Sequence, residues 1–115
     1  MAYTFHILPA AAWAAADRAA PYAPAYFASE GFIHCTDGLE DLAKTFDRHF
    51  ADDPQPFLAM TVDLDAVDVP WRYDEPGSPY PHIYGTIRPG AIVGTAEVER
   101  LSDGRFSGLF VSETF

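Results

Sequence analysis

The sequence predicts an α+β fold, in which helices pack on a largely antiparallel sheet. Helical patterns occur in the first half of the chain, whereas strand patterns separated by turn signals fill the second half. This order is typical of α+β proteins, because consecutive strands joined by short turns pair in antiparallel fashion. The chain has 115 residues, 49% of them apolar, so we expect a single domain over residues 1–115.

The N-terminal part of the chain contains two predicted strands and one predicted helix. Tyr3 to Leu8 alternates and is rich in strand-forming residues. Ala10 to Ala20 is mostly alanine without a helix breaker, so it is predicted as helix. Pro21 to Glu30 contains two prolines and is predicted as an ordered loop with a short turn at Tyr26 to Ser29. Gly31 to Cys35 is the second predicted strand.

The segment from Asp37 to Phe50 carries the strongest helical pattern. Asp37 and Glu40 have the spacing of a capping box, in which a side chain accepts a hydrogen bond from the first turn. Together with Ala10 to Ala20, this segment gives the predicted fold two main helices. The apolar residues at helical spacing on one face are Leu39, Leu42, Ala43, Phe46 and Phe50.

Strand patterns dominate the rest of the chain. Asp103-Gly104 is a strong hairpin signal between the last two of them. The segment from Asp74 to Pro81 is rich in proline and glycine, so it is predicted as a loop. The predicted strands are Phe57 to Leu64, Val69 to Tyr73, His82 to Ile87, Ala91 to Leu101 and Phe106 to Val111.

The charge balance argues against several classes of partner. The formal net charge is -10, with 17 acidic against seven basic side chains. Such a charge repels nucleic acids and anionic membrane surfaces, although a few basic side chains can attract a small anion locally. A single cysteine precludes an internal disulfide, and no segment resembles a signal peptide or a membrane helix. We therefore expect a cytoplasmic protein that binds neither nucleic acid nor membrane.

Three of the four histidines, His6, His34 and His82, lie on predicted strands among apolar neighbours. A buried histidine loses solvation unless its ring nitrogens find hydrogen-bond partners. Three such residues in a small domain favour a shared cleft. The fourth, His49, lies on the polar side of the second helix near its C-terminus, where positive charge is favourable, and we assign it no functional role.

Two further chemistries are open to these residues. Three histidines could bind zinc, but their spacing shows no local pair on one face, so no metal ligand is assigned. Cys35 could be a nucleophile, but it follows His34 directly, and neighbours in a strand point to opposite faces. Cys35 is therefore predicted to be a small core residue.

Two strand motifs place a hydroxyl beside a histidine. His34 and Thr36 share one face of the second strand, and His82 and Tyr84 share one face of a later strand. Gly85 follows the later pair and lets a backbone or a ligand approach closely, or marks a bulge. These motifs are consistent with two walls of one pocket.

Taken together, the motifs resemble a known family. The chain contains Phe5-His6-Ile7, Gly31-Phe32-Ile33-His34-Cys35-Thr36, the acidic residue Glu75 and Pro81-His82-Ile83-Tyr84-Gly85, in that order. This arrangement resembles a small, mainly bacterial family known as domain of unknown function 952. The resemblance extends from the first predicted strand to the strand at Ala91 to Leu101.

The resemblance implies a particular fold and ligand. The family is grouped by fold with the ADP-ribosyltransferase-like proteins, which implies a split, curved, mostly antiparallel sheet with two main helices and a cleft for NAD. In that superfamily, a histidine on an early strand holds a ribose hydroxyl and an aromatic side chain stacks on nicotinamide. A late glutamate stabilises the oxocarbenium-like transition state as nicotinamide leaves.

Carried over to this chain, the resemblance implies a cofactor-binding set and a catalytic pair. The cofactor-binding residues would be His6, His34, Thr36, His82 and Tyr84. One of the first two histidines would hold the ribose with help from the threonine, while the tyrosine would stack on nicotinamide. The catalytic pair would be His34 and Glu75.

Glu75 departs from the pattern of the well-studied transferases, because it precedes the His82 strand instead of lying near the end of the fold. Glu97 and Glu99 lie later in the chain, but no motif marks either one. A carboxylate beside aromatic residues can stabilise a developing cation. Glu75 can also simply form an ion pair with Arg72, which is the more common arrangement for such a pair of residues. Ligand binding therefore follows more directly from the resemblance than transferase activity does.

Three functions follow as hypotheses. The first is an enzyme, or a degenerate enzyme, that binds NAD or a related ribonucleotide and catalyses ADP-ribosyl transfer or NAD hydrolysis. The second is a non-catalytic module that binds a nucleotide-like small molecule or another protein. The third is a metal-dependent hydrolase that uses the histidines. No cofactor is expected to be needed for folding, and NAD would be a substrate or ligand.

Overall fold

The computed structural model describes residues 2–111, which form two antiparallel sheets and three α-helices. The larger sheet contains, in spatial order, β1 (Tyr3–Pro9), β3 (Phe57–Asp63), β6 (Ile92–Arg100) and β7 (Phe106–Phe110). The smaller sheet contains β2 (Ile33–His34), β5 (Pro81–Ile83) and β4 (Trp71–Tyr73). The helices are α1 (Ala10–Ala15), α2 (Phe27–Glu30) and α3 (Leu39–His49), and two 3-10 turns occur at Leu64–Ala66 and Pro89–Ala91.

This architecture confirms the predicted α+β class, since the paired strands of both sheets are antiparallel. The hairpin predicted from Asp103-Gly104 joins β6 to β7. Gly104 has a φ of 94°, and Asp103 Oδ1 accepts a hydrogen bond from the Arg105 amide at 3.1 Å. Within residues 2–111, the helices are too short and too polar to cross a membrane.

Alternation along β1 and β3 gives the larger sheet two distinct faces. On one face, His6 and Leu8 are buried opposite Met60 and Leu58. This face forms the main core with the smaller sheet, because the inward side chains of both sheets meet there. The other core residues from the smaller sheet and its flanking segments include Tyr22, Ile33, Cys35, Ile83 and Ile87.

The long helix α3 covers the opposite face of the larger sheet. Leu42 and Phe46 are fully buried, which confirms the apolar spacing predicted for this segment. The centroid of the Phe46 ring lies 5.5 Å from that of Phe57 and 6.1 Å from that of Phe106. These aromatic contacts attach the helix to both β3 and β7.

One pair of backbone hydrogen bonds joins the two sheets. The Phe5 amide donates to the Thr36 carbonyl at 2.9 Å, and the Thr36 amide donates to the Phe5 carbonyl at 2.8 Å. We call this pair the seam. Because Thr36 lies two residues after the end of β2, the seam attaches the smaller sheet to β1.

The first helix is shorter than predicted, because α1 ends at Ala15 instead of Ala20. Ala16 is extended, with a ψ of 146°. Asp17 Oδ1 accepts a hydrogen bond from the Ala19 amide at 3.0 Å and forms a local turn that competes with the helix. The helix propensity of alanine is thereby overridden. The prediction of two main helices is wrong, since α3 is the one long helix in residues 2–111.

The capping box predicted for the second long segment is also wrong. The N-cap of α3 is Gly38, with a φ of 79°, and no side chain caps the helix. Asp37 instead accepts a hydrogen bond from the hydroxyl of Tyr73 in β4. A carboxylate that local spacing assigns to the helix is therefore used by the smaller sheet.

The strands of the smaller sheet are shorter than their sequence patterns suggest. β5 ends at Ile83 instead of Ile87, since the Tyr84 amide turns away from the ladder and donates to the Pro70 carbonyl at 2.8 Å. A Cβ atom added at Gly85 would lie 2.7 Å from the Val69 side chain. Gly85 therefore admits a close approach of the protein's own chain.

Substituting Phe46 with alanine should destabilise the fold by about 3–5 kcal/mol, because it removes a fully buried ring from the contact between α3 and the larger sheet. The free energy of unfolding in urea measures this effect. Leu39→Ala is the matched control, because Leu39 lies on the same helix but is 51% exposed. Equal losses in the two variants would contradict the packing described above.

Candidate functional site

A cavity of about 500 Å³ lies between β1, α3 and the outer face of the smaller sheet. All four histidines of the chain line it, together with Arg48, one of only seven basic residues. The cavity size falls within the range of small-molecule binding sites. The remaining lining residues are Phe5, Ile7, Tyr26, Glu30, Cys35, Thr36, Thr45, Phe50 and Tyr80.

His6 forms the buried floor of the cavity and has both ring nitrogens occupied. Its Nδ1 lies 2.9 Å from the His34 carbonyl oxygen, and its Nε2 lies 2.9 Å from the Tyr22 hydroxyl. A carbonyl can only accept, so Nδ1 donates and Nε2 accepts from the tyrosine in the neutral ring. Burial lowers the pKa of His6 to about 4. Both ring nitrogens of His6 are therefore used within the fold.

His34 lies on the exposed face of the smaller sheet, at the rim of the cavity. Its Nε2 is 2.8 Å from Oε1 of Glu30, at the end of α2. Its backbone amide donates to the hydroxyl oxygen of Tyr26 at 3.0 Å. One carboxylate and one tyrosine from the segment before β2 thus orient this histidine.

His82 faces the same cavity from β5 and is oriented by Asp74. His82 Nδ1 lies 2.6 Å from Asp74 Oδ2. The same carboxylate accepts hydrogen bonds from the Tyr84 hydroxyl and from Arg72 Nε, the latter at 2.7 Å. These donors, the tyrosine first, hold the pKa of Asp74 well below its usual range. An ionised Asp74 therefore receives a hydrogen bond from His82 Nδ1.

His34, which is exposed, and His82, which is half-buried, are directly opposite each other in the β2–β5 ladder. Their ring centroids are 5.4 Å apart. Phe32 stacks on His82 at 4.3 Å and contacts His34 edge-on at 4.8 Å. Because Phe32 packs against both rings, neither ring is free to rotate away. The distance between the rings is therefore fixed by their pairing in the sheet and by this packing.

The remaining predicted site residues occupy different positions. Thr36 lines the cavity and is 4% exposed, with its hydroxyl 3.5 Å from that of Thr45. Tyr84 does not line the cavity, and the Arg72 guanidinium lies 4.0 Å from the centroid of its ring. Glu75 lines an adjoining pocket of about 130 Å³. Arg72 forms its ion pair with Asp74 and not with Glu75.

The adjoining pocket is connected to the main cavity through common walls. Tyr80 and His82 line both spaces, while Glu75 and Ser78 line only the smaller one. Glu75 is therefore near the histidine pair but separated from the main cavity by these side chains.

Sequence patterns missed five residues of the site. Thr45, Arg48 and His49 have the spacing of one helix face, which could have marked Arg48 and His49 once Thr45 was placed at the cavity. Glu30 and Asp74 carry no such signal, because each lies outside the strand whose histidine it contacts.

The structure offers neither a reactive cysteine nor a set of metal ligands within residues 2–111. Cys35 is 2% exposed, and burial raises the pKa of its thiol, so it is a core residue as predicted. Within residues 2–111, no group of three histidine, cysteine or acidic side chains is arranged to hold a metal ion.

These features define a class of protein: an α+β domain with two antiparallel sheets joined at a seam and a cavity lined by histidines. The chain belongs to the family described as Protein of unknown function (DUF952), whose model matches residues 7–95. This match confirms the family resemblance seen in the motifs.

Two solved structures share the fold. The crystal structure of protein CC0527 from Caulobacter crescentus has a TM-score of 0.74 and 23% sequence identity, over 92% of this chain and 94% of that chain. The solution NMR structure of CC0527 has a TM-score of 0.70 and 24% identity, over 91% of each chain. No curated protein matches the sequence.

Replacing His6 with glutamine should remove an acid sensitivity of the fold. The pKa of His6 is about 4 in the fold against 6.5 for an ordinary histidine, so only the unfolded chain gains a proton as pH falls below 6.5. Stability from this residue is present above that pH and is lost towards pH 4. Between pH 7 and pH 5 the loss is about 2 kcal/mol.

Urea unfolding at pH 7 and pH 5 measures this effect as the difference between wild type and His6→Gln. Other titrating groups contribute equally to both proteins and cancel. His49→Gln, which removes an exposed histidine, is the control and should keep the wild-type pH dependence. The assignment is overturned if His6→Gln loses as much stability between the two pH values as wild type.

Proposed function

We propose that the cavity binds NAD or a related ribonucleotide such as ADP-ribose. The observation that carries this proposal is the collection of all four histidines and Arg48 at one cavity in a chain of net charge -10. One of the seven lysine and arginine side chains lies at this cavity beside four imidazoles, where an anionic ligand would have to bind. The resemblance to ADP-ribosyltransferase-like proteins supports the same ligand class by analogy.

Arg48 is the residue best suited to the phosphate groups. Its guanidinium forms no ion pair or hydrogen bond with another residue in the described range 2–111. Arg48 and His49 lie in the last turn of α3, where the helix dipole favours positive charge. An unpaired guanidinium beside a cavity can bind a phosphate through two parallel hydrogen bonds.

The ribose and the aromatic rings of the ligand would contact the other walls of the cavity. His34 and Thr36 are the candidates for the ribose hydroxyls, because His6 already uses both ring nitrogens within the fold. Phe50 and Tyr80 offer aromatic surface to a base or nicotinamide ring. Tyr84 is the stacking residue implied by the resemblance, but the Arg72 guanidinium covers its ring. Unless that guanidinium moves away, Tyr84 would act only through the hydrogen bond from its hydroxyl to Asp74.

Catalysis of ADP-ribosyl transfer or NAD hydrolysis would require a carboxylate near the scissile bond. Glu75 would have to act from the adjoining pocket, whereas Glu30 lines the main cavity and contacts His34. The alternative, a non-catalytic binding module, predicts binding without release of nicotinamide. Incubation with NAD followed by chromatography separates these two functions.

Isothermal titration with ADP-ribose should give a saturable heat that Arg48→Ala weakens at least tenfold. Loss of a hydrogen bond to a charged group costs about 1.5–3 kcal/mol, which corresponds to this change in affinity. Lys44→Ala is the matched control, because Lys44 lies on the same helix, is paired with Glu40 and does not line the cavity. His34→Ala should also weaken binding.

Two outcomes would contradict the proposal. One is the absence of heat with both NAD and ADP-ribose. The other is an equal loss of affinity in Arg48→Ala and Lys44→Ala, which would indicate a general charge effect and not a contact in the cavity.

A further inference from the structure

We propose that His34 and His82 form a metal-independent acid–base pair that hydrolyses a phosphoester of the bound ribonucleotide, with a ribonucleoside 2′,3′-cyclic phosphate as the substrate class. This inference rests on the proposed function for ligand binding. It adds a reaction that differs from nicotinamide release, because the bond that breaks joins phosphorus to oxygen.

Each histidine of the pair is held by its own carboxylate. Glu30 lies 2.8 Å from His34 Nε2, and Asp74 lies 2.6 Å from His82 Nδ1. The two carboxylates come from different parts of the chain, α2 and the loop after β4. A carboxylate that accepts a hydrogen bond from one imidazole nitrogen fixes the orientation of the ring, as in hydrolases with a carboxylate–histidine pair.

This arrangement leaves one nitrogen of each ring available for chemistry. Within residues 2–111, neither His34 Nδ1 nor His82 Nε2 has a hydrogen-bond partner. Such a nitrogen accepts a proton when the ring is neutral and donates one when the ring is protonated. Imidazole is the commonest general acid and general base in enzymes, so one ring can act as base while the other acts as acid.

The spacing of the rings suits a single phosphoryl group. His34 and His82 are cross-strand neighbours, their centroids are 5.4 Å apart, and both line the main cavity. Phe32 packs against both of them. Two imidazoles at this separation can contact the entering and the leaving oxygen of one phosphorus atom at the same time.

Arg48 supplies the positive charge that this reaction needs. Negative charge increases on the non-bridging oxygens of phosphorus in the transition state, and a guanidinium in the same cavity stabilises it. The net charge of -10 makes the chain unsuitable for a long polyanion. A cyclic mononucleotide carries one phosphate, so it can enter a cavity with one arginine.

The proposed step is balanced without a metal or a redox partner. A water molecule attacks phosphorus and gives a proton to the neutral histidine. The bond between phosphorus and one ribose oxygen breaks, and the protonated histidine gives its proton to that oxygen. The product is a ribonucleoside 2′- or 3′-monophosphate, in which the ribose oxygen that left phosphorus is now a free hydroxyl. Proton exchange with solvent restores the starting state of the two rings.

Charged and titratable groups from several elements face the pair and would shape its pH dependence. His34 is flanked by the Glu30 carboxylate and by His6 below it. His82 is flanked by Asp74 and, across the smaller pocket, by Glu75. The others are Tyr26, Tyr80, Tyr84, Arg72, Arg48 and His49.

The test is hydrolysis of 2′,3′-cyclic AMP in the presence of EDTA, followed by chromatography of the monophosphate. We expect turnover with a bell-shaped dependence of kcat on pH. His34→Ala and His82→Ala should each lower kcat about 100-fold or more, since removing a general acid or base has effects of this size. Lys44→Ala, outside the cavity, should keep the wild-type rate.

Two further variants separate positioning from structural damage. Asp74→Asn and Glu30→Gln keep the shape of the side chain but remove the charge that orients each ring. They should lower kcat with little change in KM and should shift one limb of the pH profile. They also keep the inference testable if either alanine variant fails to fold, which circular dichroism would detect.

The outcomes distinguish this inference from the proposed function. Binding of NAD, ADP-ribose or 2′,3′-cyclic AMP without hydrolysis of the cyclic nucleotide overturns the acid–base pair but leaves ligand binding intact. Hydrolysis that EDTA abolishes, or that survives in both histidine variants, also overturns it. Failure of all three ligands to bind overturns both proposals.

Discussion

The buried imidazole of His6 is the contact on which the site depends. It connects β1 to the Tyr22 hydroxyl and to the carbonyl of His34, which belongs to a strand of only two residues. Leaving either nitrogen unpaired in the core would cost about 1–3 kcal/mol, so β2 is held in a single register relative to β1. That register decides which residues of the motif face the cavity and which face the core.

As a consequence, some residues of the motif from residue 31 to residue 36 face the core and others face the cavity. Ile33 and Cys35 are buried in the core, whereas the His34 ring is presented to the cavity. Strand alternation predicts that His34 points away from its neighbours Ile33 and Cys35, and the burial of these two neighbours agrees with it. The role of His6 itself did not follow from the sequence, because a histidine on an early strand can equally hold a ligand or close a core network.

Much of the fold was predictable because local chemistry and tertiary packing agree. The α3 pattern is confirmed by the burial of Leu42 and Phe46, and the Asp103-Gly104 turn forms as expected. Prediction failed where a side chain formed a competing bond, as Asp17 did after α1 and Asp37 did before α3. Spacing rules describe helix ends in isolation, and they carry no information on a partner such as Tyr73 that arrives from another sheet.

Prediction of the site from sequence was limited in the same way, because tertiary partners cannot be identified from local spacing. Histidines on strands were identifiable from their apolar neighbours, but the carboxylates that orient them were not. Asp74 is adjacent in sequence to Glu75, and only the three-dimensional structure distinguishes the residue that contacts His82 from the one that lines the adjoining pocket. Likewise, Arg48 and His49 have the positions of ordinary C-terminal helix cations until the cavity is seen beside them.

The seam has a consequence for the life of the protein in a cell. The two sheets share one backbone bridge among the described residues, Phe5 to Thr36, and a molecule in the cavity would touch both sides of that joint. Binding of such a molecule would stabilise the seam, and the free energy of unfolding would then increase with the concentration of the ligand. Because proteases remove chains that open, the abundance of the protein would then follow the supply of its own ligand.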